Sequence, residues 1–256
     1  MFEYRVRLNL ATTALIVTLG IAVSVITSTV VAARAYRSRG EQVNRQEQTI
    51  VVKGSTRKRI RSDRAVWQIR VEGENKQMQE AYKAVDASVQ RVKAFLEQHG
   101  FSAAETGLGA IETTVHHVRT EKGQETREVA SYTLSRTFFI STRDVDRVAQ
   151  TAGQVTQLIQ EGILVVSQAP EYYYSDSSAL KLELMAAASK DARARAEEIA
   201  RAAGCRLAGV RAATMGVIQI TQPFSTEVSA EGIYDTSTID KDAQAVVTIT
   251  FQIEPT

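Results

Sequence analysis

Three histidines, one cysteine and a scatter of carboxylates are the raw material for chemistry in this 256-residue chain, and their spacing argues against a catalytic site. His116 and His117 are adjacent in a stretch whose alternation predicts a strand. Their side chains therefore leave opposite faces and do not chelate one ion together. His99 falls at a predicted helix C-terminus, where a cation is favourable for structural reasons. Cys205 has no second cysteine for an internal disulfide. It follows Gly204 at a predicted helix end and reads as a buried structural thiol, with a redox-active or intermolecular thiol as the alternative. Gly107 and Gly109 form a GxG with no third glycine and no following helix, and the chain has no GxxxxGK[ST] phosphate loop. No cofactor, no metal and no enzymatic activity are expected. The competing reading is an enzyme or metal-dependent protein whose site is completed by the polar segment 222–243. There Glu227, Glu231, Asp235, Asp240 and Asp242 would serve as acid/base groups or ligands, and solvated charge is the simpler account of them.

Two further clusters suit contact better than bond-making. Arg57, Lys58, Arg59, Arg61 and Arg64, interrupted by Asp63, are the densest basic run in the sequence. They read as a solvated hairpin turn or as a contact with anionic lipid headgroups, where each charge near the surface contributes about 1 kcal/mol. Nucleic acid is not indicated, because no aromatic residue is interleaved to stack bases, and residues 49–256 hold 25 basic and 26 acidic groups. Tyr172, Tyr173 and Tyr174 form the other cluster. Core plus sheet surface is one reading and a subunit interface the other, since tyrosine supplies large amphipathic contact area.

The element that must place all of these is Leu8 to Ala33, twenty-six residues without a charged side chain. As a helix it is roughly 39 Å long, more than the roughly 30 Å of a bilayer's hydrocarbon core. Arg5 and Arg7 precede it, and Arg34, Arg37 and Arg39 follow it. Membrane lipid is thus a partner through residues 8–33. A cleaved signal peptide is the alternative, with Val31-Ala32-Ala33 or Ala33-Arg34-Ala35 as its small-x-small site, but the apolar run is about twice too long. The flanking cations favour a cytoplasmic body by one charge, which would make the chain a cytoplasm-facing membrane adaptor using the basic run; the margin decides little. The reading is a tail at 1–7, an anchor at 8–33, a polar juxtamembrane linker at 34–48 and one domain at 49–256.

Within that domain, Thr49–Lys53 predicts a short strand ended by Gly54-Ser55, and Ala65–Glu72 alternates as a strand buried on one face. Residues 76–98 predict an amphipathic helix with Met78, Ala81, Tyr82, Val85, Val89, Val92, Phe95 and Leu96 inward, ended by Gly100. A hairpin is expected over 107–120 and 125–142, with Arg136 at an interface or paired across the sheet. A second helix follows, with Ser141-Thr142-Arg143-Asp144 as its start and the acidic group in its first turn, burying Val145, Val148, Ala152, Val155, Leu158 and Ile159, and closing at Gly162. A strand containing Pro170 comes next, an edge or a bulge. From Ala65 to Tyr174 this is the ferredoxin-like βαββαβ order. A long alanine-rich helix spans 177–203, with surface pairs expected between Asp191 and Arg195 and between Glu197 and Arg201. Strands over 207–221 and 244–254 flank the polar loop, which is long enough to be functional or disordered. The expected fold class is α+β: a transmembrane helix, then a body of mainly antiparallel sheet with three helices.

The runs SYTLSRTFFISTRDVDRVAQTAGQVTQLIQEG, EYYYSDSSALKLELMAAASKDARARAEEIARAAGCRLAGVRAATMG and QPFSTEVSAEGIYDTSTIDKDAQAVVTITFQIE resemble the bacterial SIMPL-domain family, a domain of unknown function. The resemblance covers about residues 49–254. Its most specific part is A-x-x-D-A-x-x-x-A-E, here Ala188, Asp191, Ala192, Ala196 and Glu197, followed by a glycine and two strands. The chain is most similar to members with an N-terminal anchor. The resemblance implies a bacterial inner-membrane protein whose body lies in the periplasm, an α+β fold that self-assembles into a homo-oligomer, a link to oxidative-stress defence in the envelope, and no established catalytic residues. It supplies no site residue and no protein partner, and the basic run Arg57 to Arg64 departs from the family's less charged pattern.

Overall fold

The computed structural model describes residues 10–256. The expected tail at 1–7, the first two residues of the expected anchor, and Arg5 and Arg7 lie outside the described residues, as do the side chains of Arg37 and Arg39. The first element, α1 (Leu10–Glu47), is one helix of 38 residues. It continues through the segment read as a polar linker, so that segment is helical. The chain divides into two compact units. One draws on the chain up to Val52, on Arg193–Ala213 and on Thr248–Thr256; the other comprises Lys53–Ala192 and Thr214–Val247.

The second unit is built on β2 (Arg64–Asn75), which follows β1 (Thr49–Arg61) after a turn at Ser62-Asp63. Strand β2 buries Ala65, Trp67, Ile69 and Val71 on one face, the alternation expected of a half-covered strand. Helix α2 (Met78–Gln98) lies on that face with Ala81, Val85, Val89, Val92, Phe95 and Leu96 inward. Met78 and Tyr82, expected in its buried stripe, are exposed instead. They are its first and fifth residues, near the place where Gly73 lets β2 approach the helix: a Cβ there would meet the Ala81 carbonyl oxygen at 2.9 Å.

Next come β3 (Thr106–Leu108), β4 (Glu112–Arg119) and β5 (Glu125–Thr142). Strand β5 pairs antiparallel with β2 from Ala65↔Thr142 to Asn75↔Tyr132 and carries β3 and β4 on its other side. Helix α3 (Val145–Ala152) is capped by Asp144, whose carboxylate accepts the Arg147 N–H at 3.0 Å, as the Asp at a helix start predicts. The second helix does not run on as expected. It gives way to a 3-10 helix, Val155–Glu161, which Gly162 ends at φ 81°. Three residues per turn move Ile159 off the buried side, and it is exposed. Strands β6 (Leu164–Ser167) and β7 (Glu171–Tyr173) both pair antiparallel with β2, on either side of Pro170, which cannot donate to the ladder. The second and last strands of the simple six-element order are thus each two short strands in this chain, giving a six-stranded antiparallel sheet.

Helix α4 (Ser177–Ala202) precedes β8 (Cys205–Met215), β9 (Gln219–Thr221) and β10 (Asp240–Pro255). A four-stranded sheet has the order β1-β10-β8, with β9 also on β10. Strand β10 buries Ala243, Ala245, Val247, Ile249 and Phe251, the inward set that its alternation predicts, whereas Ile253 near its end is half-exposed. Leu180, Leu184, Ala188, Ala192, Ala196 and Ala200 of α4 are buried. On its surface Glu197 takes Arg193 (2.9 Å) and Arg201 takes Glu198, so two other pairs stand where the Glu197–Arg201 pair was expected. The fold is α+β: four helices, antiparallel sheets and a long apolar helix at the start.

Candidate functional site

The basic run lies mostly in strand β1 and reaches β2 only at Arg64, after a two-residue break at Ser62-Asp63. Strand β1 passes through Gly54 unbroken, because that glycine serves close packing: a Cβ on it would sit 2.2 Å from the Ala188 carbonyl oxygen of α4 and 2.6 Å from the Ala192 Cβ. Asp191 of the same helix accepts the Ser55 N–H at 2.9 Å. Ala188, Asp191 and Ala192 of the α4 pattern therefore fasten helix to strand. In a strand, alternate side chains of the basic run face apart, and carboxylates of this chain engage most of them. Lys58 pairs with Glu183 at 2.6 Å, Arg59 with Asp242 at 2.5 Å, and Arg61 with Asp146 at 2.6 Å and Asp240 at 3.6 Å. Arg57 reaches the Gln244 amide oxygen at 3.3 Å, and Arg64, on β2, donates to the Ser141 hydroxyl at 3.2 Å. The structure does not gather these five into one open cationic patch.

The tyrosines do come together with the polar loop. Tyr172 lies in the core, 7% exposed, and is closed to a second subunit; burial raises its phenol above the usual range, with Asp146 adding to the effect. Tyr173 donates to Glu171 at 2.6 Å and stacks on Tyr234 with ring centroids 6.4 Å apart. The Tyr234 hydroxyl accepts the Tyr174 N–H at 3.1 Å, and the Tyr172 N–H donates to the Thr236 carbonyl at 2.7 Å. The triple tyrosine is the seam along which the loop is tied to the β7 edge.

The carboxylates of that loop are the candidate chemical groups, and three of the five are engaged. Lys241 is 0% exposed, with its Nζ 3.1 Å from Asp235 and donating also to the Thr238 carbonyl. Asp235 accepts the hydroxyls of Ser237 and Thr238. Burial alone would raise its carboxyl, but those hydroxyls and Lys241 outweigh it and hold it well below the usual carboxylate range. Burial pulls the Lys241 ammonium down while Asp235 pushes it back up, and the net shift is downward. Asp242, 4% exposed, takes Arg59 and the Phe224 N–H at 3.0 Å; the Arg59 hydrogen bond, then the backbone N–H, lower its carboxyl. Phe224 is thereby held at φ 64°, the left-handed region, with the Arg59 guanidinium 4.8 Å above a ring that is 81% exposed. Sequence reasoning picked Asp235 and Asp242 and missed their partners: a lysine beside two aspartates is an ordinary surface pattern until burial is known.

A polar cleft of about 230 Å³ is lined by Thr221, Gln222, Ser225, Glu227, Ile233 and Asp235. Asp235, held ionised, is no general acid there, and the Ser225 hydroxyl accepts the Glu227 N–H at 3.2 Å. Among the described residues no three His, Cys, Asp or Glu side chains cluster to hold a metal. His116 Nε2 meets the Thr133 hydroxyl at 2.8 Å, His99 Nδ1 the Phe95 carbonyl at 2.8 Å, and a bulge separates His116 from His117. Cys205 is half-buried, not buried as expected, because it opens a strand whose remaining residues, Leu207 apart, are exposed. Arg136 is paired within its own chain, donating to the Gly109 carbonyl at 2.8 Å.

Ala14–Ala35 of α1, 22 residues with no side chain buried, has the length and composition of a membrane anchor or a signal sequence. A search of the curated proteins finds no match to the chain. The family model SIMPL, described as "Protein of unknown function (DUF541)", matches residues 50–253, nearly the whole of the body, and the chain belongs to that family.

Proposed function

We propose that this is a single-pass protein of the bacterial inner membrane, anchored by α1, whose body faces the periplasm and acts by binding and self-association in envelope or oxidative-stress defence, without catalysis. The observation that carries the reading is α1 itself: between Ala14 and Ala35 every side chain is exposed. Water does not support so long an apolar surface, and a bilayer does. The non-catalytic part rests on the loop, where Asp235, Asp240 and Asp242 are tied to Lys241, Arg61 and Arg59 instead of facing a common point. The periplasmic side and the stress role come from family membership.

A reporter enzyme active only in the periplasm, fused after Thr256, is expected to be active; an inactive but intact fusion overturns the orientation. Sedimentation of the detergent-purified chain at micromolar concentration is expected to give more than one copy per particle. The enzymatic reading is kept in view by the 230 Å³ cleft. Glu227→Gln, which removes the cleft's remaining carboxylate, is expected to leave envelope-stress survival unchanged, and loss of survival at unchanged melting temperature revives that reading.

A further inference from the structure

Strand β8 is an edge. It pairs with β10 on one side, and no strand pairs with its other side among the described residues. Cys205 and Leu207 are half-buried, and every other residue from Arg206 to Met215 is exposed, so neither face is covered. Exposed edges offer a row of unpaired N–H and C=O groups, and proteins blunt them with proline, bulges or inward charges. Residues 205–213, CRLAGVRAA, contain no proline and no acidic group, and Arg206 is already held by Glu254 at 2.7 Å. Gly209 sits mid-strand, where glycine costs stability. A Cβ there would meet nothing within 4 Å, so nothing in a single chain calls for a glycine.

We infer that the free edge of β8 is the interface through which two copies of this chain pair, antiparallel about a two-fold axis at Gly209. This rests on the self-association reading and names the surface that performs it. In that register Gly209 faces its own copy, and a glycine inside a strand marks a place where another backbone approaches closely. Ala208 then faces Val210, Leu207 faces Arg211 and Arg206 faces Ala212. No arginine stands directly opposite another, which would be destabilising. A strand of different sequence offers the same backbone groups, but only a second copy places glycine against glycine. Anchoring in one membrane adds to this by raising the concentration of each copy near the other.

The test uses the full-length chain in detergent. In a Cys205→Ser background, a copy carrying Ala208→Cys and a copy carrying Val210→Cys are co-expressed and mildly oxidised. A disulfide between residues 208 and 210 of different copies is expected by mass spectrometry, and a Ser229→Cys control is expected to give none. Separately, Gly209→Lys sets two ammonium groups face to face and is expected to halve the particle mass at unchanged circular dichroism. If the unaltered chain is multimeric, Gly209→Lys leaves its mass unchanged and residues 208 and 210 do not cross-link, the edge is the wrong surface while self-association stands. If the unaltered chain sediments as a monomer, self-association itself fails.

Discussion

The loop from Gln222 to Ile239 and strand β8 differ in the opposite sense to their regularity. The loop has almost no repeating hydrogen-bond pattern, yet it is bound into its own chain by Asp235 on Lys241, the Phe224 N–H on Asp242 and the Tyr173–Tyr234 stack. Strand β8 is regular over eleven residues and leaves one edge and both faces in solvent. Secondary structure says which backbone groups are satisfied locally; it does not say which surface is committed. Commitment is set by buried side chains, and the loop has more of it than the strand.

The comparison breaks most visibly at Asp235. Asp235→Ala leaves the Lys241 ammonium buried without a counter-charge, and losing one partner of such a pair costs about 3–5 kcal/mol. Chemical denaturation is expected to show that loss, with an apolar pair at Asp235 and Lys241 recovering much of it. A loss under about 1 kcal/mol would show that the loop is held by its backbone bonds alone and that the contrast with β8 is overstated.

Acid supplies the next largest effect, in the six-stranded sheet. Glu105 accepts from the Thr142 hydroxyl at 2.5 Å, then from Ser102, and pairs with Arg147 at 2.7 Å, which together lower its carboxyl from 4.5 to about 2. A carboxyl lowered on folding stabilises the native state above its unfolded value, so the contribution is present above pH 4.5 and is lost as pH falls toward 2. The loss is about 3 kcal/mol at most. Urea midpoints measured down this range should fall less steeply for Glu105→Gln than for the unaltered chain; parallel slopes refute the network's role.

Gly54→Ala tests commitment by packing. Its Cβ would lie 2.2 Å from a backbone oxygen of α4, which cannot rotate away. Overpacking of this kind costs about 1–3 kcal/mol. An unchanged denaturation midpoint would mean that helix and strand slide apart without penalty.

How much of this was legible in the sequence follows the same division. Period 2 in Ala65–Val71 and Ala243–Phe251 and period 3.6 in Ala81–Leu96 placed the strands and helices, because each of these elements buries one continuous face. The start of α3 was legible to within a few residues from Ser141-Thr142-Arg143-Asp144, and the acid expected in the first turn is the cap itself. Gly54 was misread as the end of a strand, since a glycine required by a neighbouring helix looks the same in sequence as one required by a positive φ. The basic run was misplaced with it. Ile159 was misassigned because the change from 3.6 to 3 residues per turn leaves no mark in the apolar spacing. Among the candidate site residues, sequence named Asp235, Asp242 and the three tyrosines but not what joins them. Those joins span sequence separations of 6 residues for Asp235 to Lys241 and 183 for Arg59 to Asp242, and long separations carry no periodic signal.

The smallest effect is the sharpest test of the contrast. Val210 is 59% exposed, and replacing it by threonine keeps the β-branched shape while adding a hydroxyl to a site already in solvent. Within a single chain the change should stay inside about 0.5 kcal/mol, the range for surface positions with no special contact. At concentrations where copies pair, Val210 becomes covered by Ala208 of its neighbour, and the hydroxyl then enters a less polar setting. Denaturation midpoints of Val210→Thr should therefore match the unaltered chain at high dilution and fall below it as concentration rises. A midpoint difference that is the same at every concentration would mean that β8 is already committed within its own chain.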